Sequence, residues 1–294
     1  MTKDHCPALA AFPYFGGKAA PRIRNKILEL LPVHTAYVEP FGGAASILLS
    51  KPPSPIETYN DINGGVVGFF RVVSDPVLFH HLQLRLALLP VSRELYGHAL
   101  LNWEDCQDPV ERAALWYVVA RQSFGGMFGG SWGTVVGSSS AGRAQTVSSW
   151  IHGTARLGDI HARMRGVQIE HADWRRILDR YDGPGYLAYV DPPYVLSTRK
   201  GGGYANEMTD ADHQDLVRAL ISYQGAVVLS GYASPLYHPL EAAGWSRHDV
   251  DVCCSAAGRT RSNGLKGAGQ VLANQRRVES IWTNPEAQRR KKKG

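Results

Sequence analysis

Short apolar runs alternate along this chain with longer amphipathic stretches. Ala36-Tyr37-Val38-Glu39, Ile56-Glu57-Thr58-Tyr59, Val167-Gln168-Ile169-Glu170, Tyr186-Leu187-Ala188-Tyr189-Val190 and Ala226-Val227-Val228-Leu229 have strand length, and each runs into a polar or Gly/Pro-rich turn. Helical spacing fills several of the intervals, as over 210–223, where Thr209 stands in the N-cap position, and a helix-like Ile47-Leu48-Leu49 follows the first turn. Strands separated by helices predict an α/β fold with a doubly wound, mostly parallel sheet. Two late stretches, 248–254 and 277–283, have no helix-length pattern between them and predict an antiparallel C-terminal pair joined by a Gly/Ser/Arg-rich loop.

Residues 68–153 break the rhythm. They read as helical over 77–89 and 109–122, and then as a Gly-rich flexible or hairpin-forming loop through Gly125-Gly126-Met127-Phe128-Gly129-Gly130. The expected organisation is one unit made of 1–67 and 154–294, with a mainly helical module, 68–153, inserted between the second and third strands. Composition changes this picture little: 294 residues, 44% apolar and 20% charged, describe an ordinary globular chain. The net charge of +6 suits an anionic partner, and part of it lies in Arg289-Arg290-Lys291-Lys292-Lys293, which reads as a disordered tail. Four cysteines without Cys-x-x-Cys spacing, and histidines without a metal-ligand pattern, suit neither a zinc site nor a disulfide framework. No signal-type segment and no run of about 18 apolar residues is present, so the expectation is a metal-free protein of the cytoplasm, with no membrane contact.

The chemistry concentrates at strand ends. Asp191-Pro192-Pro193-Tyr194 closes the fourth apolar run; its prolines fix φ and remove two backbone donors, leaving a stiff, carbonyl-rich loop. A carboxylate and a carbonyl there can accept both protons of an amino group while a ring stacks on a flat heterocycle; a rigid turn is the plainer reading. Gly42-Gly43 after the first strand lets a ligand approach backbone N–H groups or simply makes a tight turn. Asp61, ending the second strand, stands where a carboxylate takes a ribose diol, or where a strand-end acid is merely solvated. Phe12-Pro13-Tyr14-Phe15-Gly16-Gly17-Lys18 places aromatics beside a cation without the spacing of a P-loop.

In chain order, Tyr14-Phe15-Gly16-Gly17-Lys18, Val38-Glu39-Pro40-Phe41-Gly42-Gly43, Asn60-Asp61-Ile62-Asn63, Asp173-Trp174, Asp191-Pro192-Pro193-Tyr194 and the strand beginning at Arg277 resemble the Dam-like DNA adenine methyltransferases. The resemblance implies S-adenosylmethionine as methyl donor and the N6 amine of adenine in double-stranded DNA as acceptor. It implies that Tyr14 and Lys18 meet the donor's methionine end, that Glu39, Phe41, Gly42 and Gly43 line its pocket, that Asp61 holds the ribose, and that Asp173 and Trp174 lie against the adenine. Many relatives carry Asp-Phe where this chain has Asp173-Trp174. Asp191, Pro192, Pro193 and Tyr194 become the catalytic residues, acting on a base flipped out of the duplex. Within the insert, Arg121, Ser123, Phe124, Gly125 and Gly126 resemble the start of the family's DNA-contacting hairpin, and Trp132 and Arg143 are further DNA-binding candidates. Arg259 and Arg261 are candidate phosphate contacts in the late loop. A monomer or weak dimer would serve a palindromic or an asymmetric target. A methyltransferase for RNA or a protein glutamine amide, and a DNA-binding protein that has lost catalysis, are the competing readings; the intact Asp191 and Lys18 motifs speak against the last.

Overall fold

The apolar runs pair in parallel because connections, helical for all but the turns that join the first two, return the chain to the opposite end of the sheet. In the computed structural model, which describes residues 9–134, 139–140, 142–199, 206–253 and 276–292, they are β1 (Ala36–Glu39), β2 (Ile56–Asn60), β5 (Gln168–Glu170), β6 (Tyr186–Val190) and β7 (Ala226–Gly231). With β8 (Ser246–Cys253) and β9 (Arg276–Thr283) they form a seven-stranded sheet in the order β5-β2-β1-β6-β7-β9-β8. The pairs from β5 through β7 are parallel, and β9 enters antiparallel to both β7 and β8. Chain order therefore runs outward from β1 to β5 on one side and from β6 to β7 on the other, with β9 inserted between β7 and β8, and the point of reversal lies between β1 and β6.

The strands read as continuous apolar runs because both faces are covered. Along β6 and β7 the side chains alternate between two buried clusters: Leu187, Tyr189, Ala226 and Val228 point to one, and Ala188, Val190, Val227 and Leu229 to the other. The first cluster extends into the helices that follow β2, namely α2 (Gly64–Ser74), α3 (Pro76–Ala87), α4 (Arg93–Asn102) and α5 (Pro109–Gln122), through Phe69, Phe79, Leu82, Tyr96, Trp116 and Tyr117. The second is closed by α8 (Trp174–Arg180), α9 (Asp210–Ser222) and Trp282. Thr209 caps α9 through a reciprocal box with Asp212. The remaining elements are α1 (Pro21–Leu30), the hairpin of β3 (Ser139–Ser140) and β4 (Arg143–Ala144), α6 (Gln145–Ala155), α7 (Leu157–Met164), α10 (His238–Ala242) and α11 (Pro285–Lys291).

Two expectations change. Ile47-Leu48-Leu49 is not a regular helix but part of a series of turns over residues 46–50, introduced by Ala45 at φ +55°. The basic C-terminal run is ordered in α11: Asn284 caps it, Glu286 pairs with Arg289 and Arg290, and Arg290 reaches back to the Tyr186 carbonyl. Lys293, Arg259 and Arg261 lie outside the described residues. The Gly-rich stretch after α5 closes as a loop, with Phe124 N–H donating to the Ser131 carbonyl and Gly133 N–H to the Gln122 carbonyl. Among the described residues, no helix is long and apolar enough to cross a membrane, and no cluster of three or more His, Cys, Asp or Glu could hold a metal ion.

Candidate active site

The carboxyl ends of β1 and β6, where the strand order reverses, open into a cleft, the usual place for a ligand in an open α/β sheet. Glu39 from β1, Asp61 after β2 and Asp191 after β6 all line it, together with Tyr14, Lys18, Phe41, Gly42, Gly43 and Pro193. Residues widely separated in the chain are thus brought into one cavity.

Its floor is the turn after β1. A Cβ on Gly42 would collide with the Tyr59 ring, and Gly43 has φ +47° with the Tyr14 ring 2.9 Å from where its Cβ would stand. Asp61 fixes this turn: one oxygen accepts from Gly43 N–H at 2.7 Å, the other from Asn63 N–H at 2.8 Å. Burial nevertheless raises the Asp61 pKa above the ordinary carboxylate value, against those two bonds. Glu39 is 2% exposed, and its Oε1 accepts from Tyr37 OH at 2.6 Å and Leu48 N–H at 2.8 Å. Burial dominates here too, and pushes Glu39 up to about 8 despite both donors.

At the other end of the cleft, Asp191 is held from two sides. Lys18 Nζ stands 2.8 Å from each of its oxygens, and Ser230 Oγ donates to Oδ1 at 2.7 Å. Lys18 also donates to the Gly16 carbonyl and lies 4.8 Å from the centre of the Tyr194 ring. Pro192 is buried and Pro193 half-buried. Tyr194 is 4% exposed, with its OH on Glu279 and its ring edge-on to Tyr232 at 4.7 Å. Burial raises the Glu279 pKa.

The other candidates fall elsewhere. Trp174 is buried in the second cluster, 6.1 Å from Phe41, so Phe41 rather than the indole reaches the cleft. Asp173 caps α8 with its side chain on Arg175 N–H. In the Gly-rich loop, Phe124 and Gly125 are exposed and Gly126 half-buried. Ser123 is buried and bonded to the Val119 carbonyl and Tyr96 OH, while the Arg121 guanidinium turns inward to the Ser149 carbonyl. Trp132 donates to Gln122 with Arg93 over its ring, and Arg143 is exposed on β4.

Sequence reasoning missed Ser230 and Asn60. The pairing of Val190 with Leu229 sets Asp191 beside Ser230, whose Oγ also bonds Tyr189 OH at 3.0 Å. Asn60 is fully buried; its amide donates to the Pro40 and Ala172 carbonyls and accepts from Ala172 N–H, joining the turns after β1, β2 and β5. An amide at a strand end of a buried sheet is a signal that can be read in advance; the Ser230 contact requires the register.

A mostly parallel sheet whose strand order reverses at a cleft lined by three carboxylates defines a doubly wound α/β fold with its site at the strand ends. The profile of the D12 class N6 adenine-specific DNA methyltransferase family matches residues 14–239, and the chain belongs to that family. It is an enzyme that methylates the N6 amine of adenine in DNA. Comparison with curated proteins gave no match.

Proposed function

We propose that the cleft binds S-adenosylmethionine and delivers its methyl group to an adenine flipped out of double-stranded DNA into the Asp191 end. The single observation that carries this reading is the continuity of one cavity from Glu39 and Asp61 to Asp191. The donor set fits such a molecule. Glu39 and Asp61 offer carboxyl acceptors for an ammonium group and a ribose diol, Phe41 and Ile62 offer apolar walls, and a sulfonium cation meets more carboxylates than ammonium groups. Trp174 acts behind Phe41, as its support.

S-adenosylmethionine, when bound, supplies an electrophilic methyl. The chain's own residues hold the acceptor: Asp191 and the Pro192 carbonyl take the two N6 protons and aim the nitrogen lone pair along the line of attack. Adenine N6 is a poor nucleophile because that lone pair is conjugated into the ring, so orientation that favours a pyramidal amine lowers the barrier. Ser230 fixes the rotamer of Asp191, and Lys18 holds the carboxylate until the base enters. Stacking of the base on Tyr194 requires Lys18 to withdraw from the ring face it now covers. Flipping costs a few kcal/mol and is needed because the target atom inside a duplex cannot reach the cleft. We assign DNA contact to residues 68–153, with Phe124, Gly125, Gly126 and Arg143 at the duplex; Arg121, Ser123 and Trp132 shape the loop that presents them.

The test is base-resolved methylation mapping of DNA from a methylation-deficient host expressing the protein, beside Asp191→Ala. N6-methyladenine at a recurring short motif with the intact protein, and none with the variant, is expected. Variant protein that still methylates would remove Asp191 from its role.

A further inference from the structure

A second cavity, sharing no lining residue with the first, lies between α2 and α5 and holds about 380 Å³. Its floor is the helix face carrying Gly64, Gly65 and Gly68, and its walls include Trp103 and Trp116. Gly65 is explained internally, because a Cβ there would collide with Trp116 Nε1. Gly68 is not: nothing lies within 4 Å of the position its Cβ would take, although glycine inside a helix costs about 0.5–1 kcal/mol relative to alanine. The open space above Gly68 belongs to the cavity.

Three further features point to an occupant. Trp116 is 2% exposed, and its Nε1–H lies beside Gly65 at the cavity lining, where it can donate to a molecule in the space. Arg71 and Arg112 both line the cavity and form no ion pair among the described residues; Arg112 lies 5.8 Å over the Trp103 ring. No carboxylate lines the space, so the two guanidinium groups face it unneutralised.

A flat floor of exposed helix backbone, indole walls, one directed N–H donor and two arginines match a planar ring with an acceptor on its edge and a strongly anionic substituent. We propose that this cavity is a binding site for a nucleoside monophosphate. The base lies along the glycine face of α2 with an edge carbonyl or ring nitrogen accepting from Trp116 Nε1–H, and the phosphate is taken by Arg71 and Arg112. The inference rests on the proposed function only where its test fills the first cleft with S-adenosylhomocysteine.

Calorimetric titration of the full chain with thymidine 5′-monophosphate, after saturation of the first cleft with S-adenosylhomocysteine, tests it. One-site binding is expected, with thymidine and inorganic phosphate each at least about tenfold weaker. Arg112→Ala should weaken binding by about tenfold or more, and Gly68→Leu, which fills the space without an internal clash, should abolish it. Leucine is the better helix former, so Gly68→Leu should keep the melting temperature. If it does not, Arg71→Ala and Arg112→Ala, both surface-accessible positions, still decide the matter. The site is overturned by absence of binding at millimolar nucleotide, by binding that survives the arginine variants, or by binding lost in Asp61→Ala, which would place the nucleotide in the first cleft.

Discussion

Glu39 is the residue whose chemistry depends most on being buried. Its ordinary value is 4.5, and burial lifts it to about 8, so in the ligand-free protein at neutral pH it carries a proton. A cation placed beside Oε2 favours the carboxylate and draws that value down. Between the lowered value and about 8, donor binding must therefore expel a proton. Affinity should rise with pH and level off above about 8. Calorimetry in buffers of different ionisation enthalpy should register up to one proton released near neutral pH, and none in Glu39→Gln. The same group affects folding in the opposite sense. Because its folded value is raised, its contribution to stability is complete below about 4.5 and is lost as the pH climbs through about 8. Glu39→Gln should flatten that slope in urea unfolding, and an unchanged slope would show that the carboxyl is ionised in place.

At the scale of elements, the Asn60 side chain adds to the ladder and ties the turns after β1 and β5 to the carboxyl end of β2. Removing its side chain in Asn60→Ala leaves the Pro40 and Ala172 groups without their partner, a loss of about 1–3 kcal/mol for a buried polar group. Donor affinity should fall as well, because the freed turn carries Phe41, Gly42 and Gly43; equal donor binding in the variant would mean that the turn is set by Asp61 alone. The strands themselves were legible because a sheet covered on both faces writes uninterrupted apolar runs, and α9 was legible through its spacing and the Thr209 N-cap. The turns after Gly43 were not: Ile47-Leu48-Leu49 has helical composition, but Ala45 at φ +55° redirects the backbone before a helix can start. Asp61 and Asp191 were readable as strand-end chemistry, Tyr14 and Lys18 as an aromatic and a cation beside a Gly-Gly turn, and Glu39 only through the family resemblance, whereas the side to which a ring turns was not readable. Trp174 follows β5 as expected and still faces the second core, since an indole gains more from burial behind Phe41 than a strand-end position reveals.

Across the whole molecule, the end of the sheet remote from the cleft is tied by one ionic cluster spanning the intervening helices. Glu57, 1% exposed on β2, bonds Lys51 at 2.5 Å, Ser54 N–H at 3.0 Å and Arg163 of α7 at 2.8 Å, and Arg163 also holds the Leu48 carbonyl. Lys51 is 2% exposed and lies over the Tyr37 ring at 4.4 Å. Burial pushes Glu57 up, but the bonds from Arg163 and Lys51 outweigh it and hold the group below its ordinary value of 4.5. With the folded value depressed, the cluster's stability is present above about 4.5 and is lost as the pH falls through the folded value, so acid should unfold the protein through this joint. Glu57→Gln leaves two cations buried without their counter-charge and should cost about 3–5 kcal/mol at neutral pH, read from denaturant unfolding. Because the cluster joins chain on both sides of residues 68–153, the variant should loosen α7 and β2 together in hydrogen exchange while the Asp191 end keeps its protection. A loss below about 1 kcal/mol, as exposed pairs give, would mean that water reaches the cluster and that apolar packing of Ile160 and Met164 alone seats α7 on the sheet.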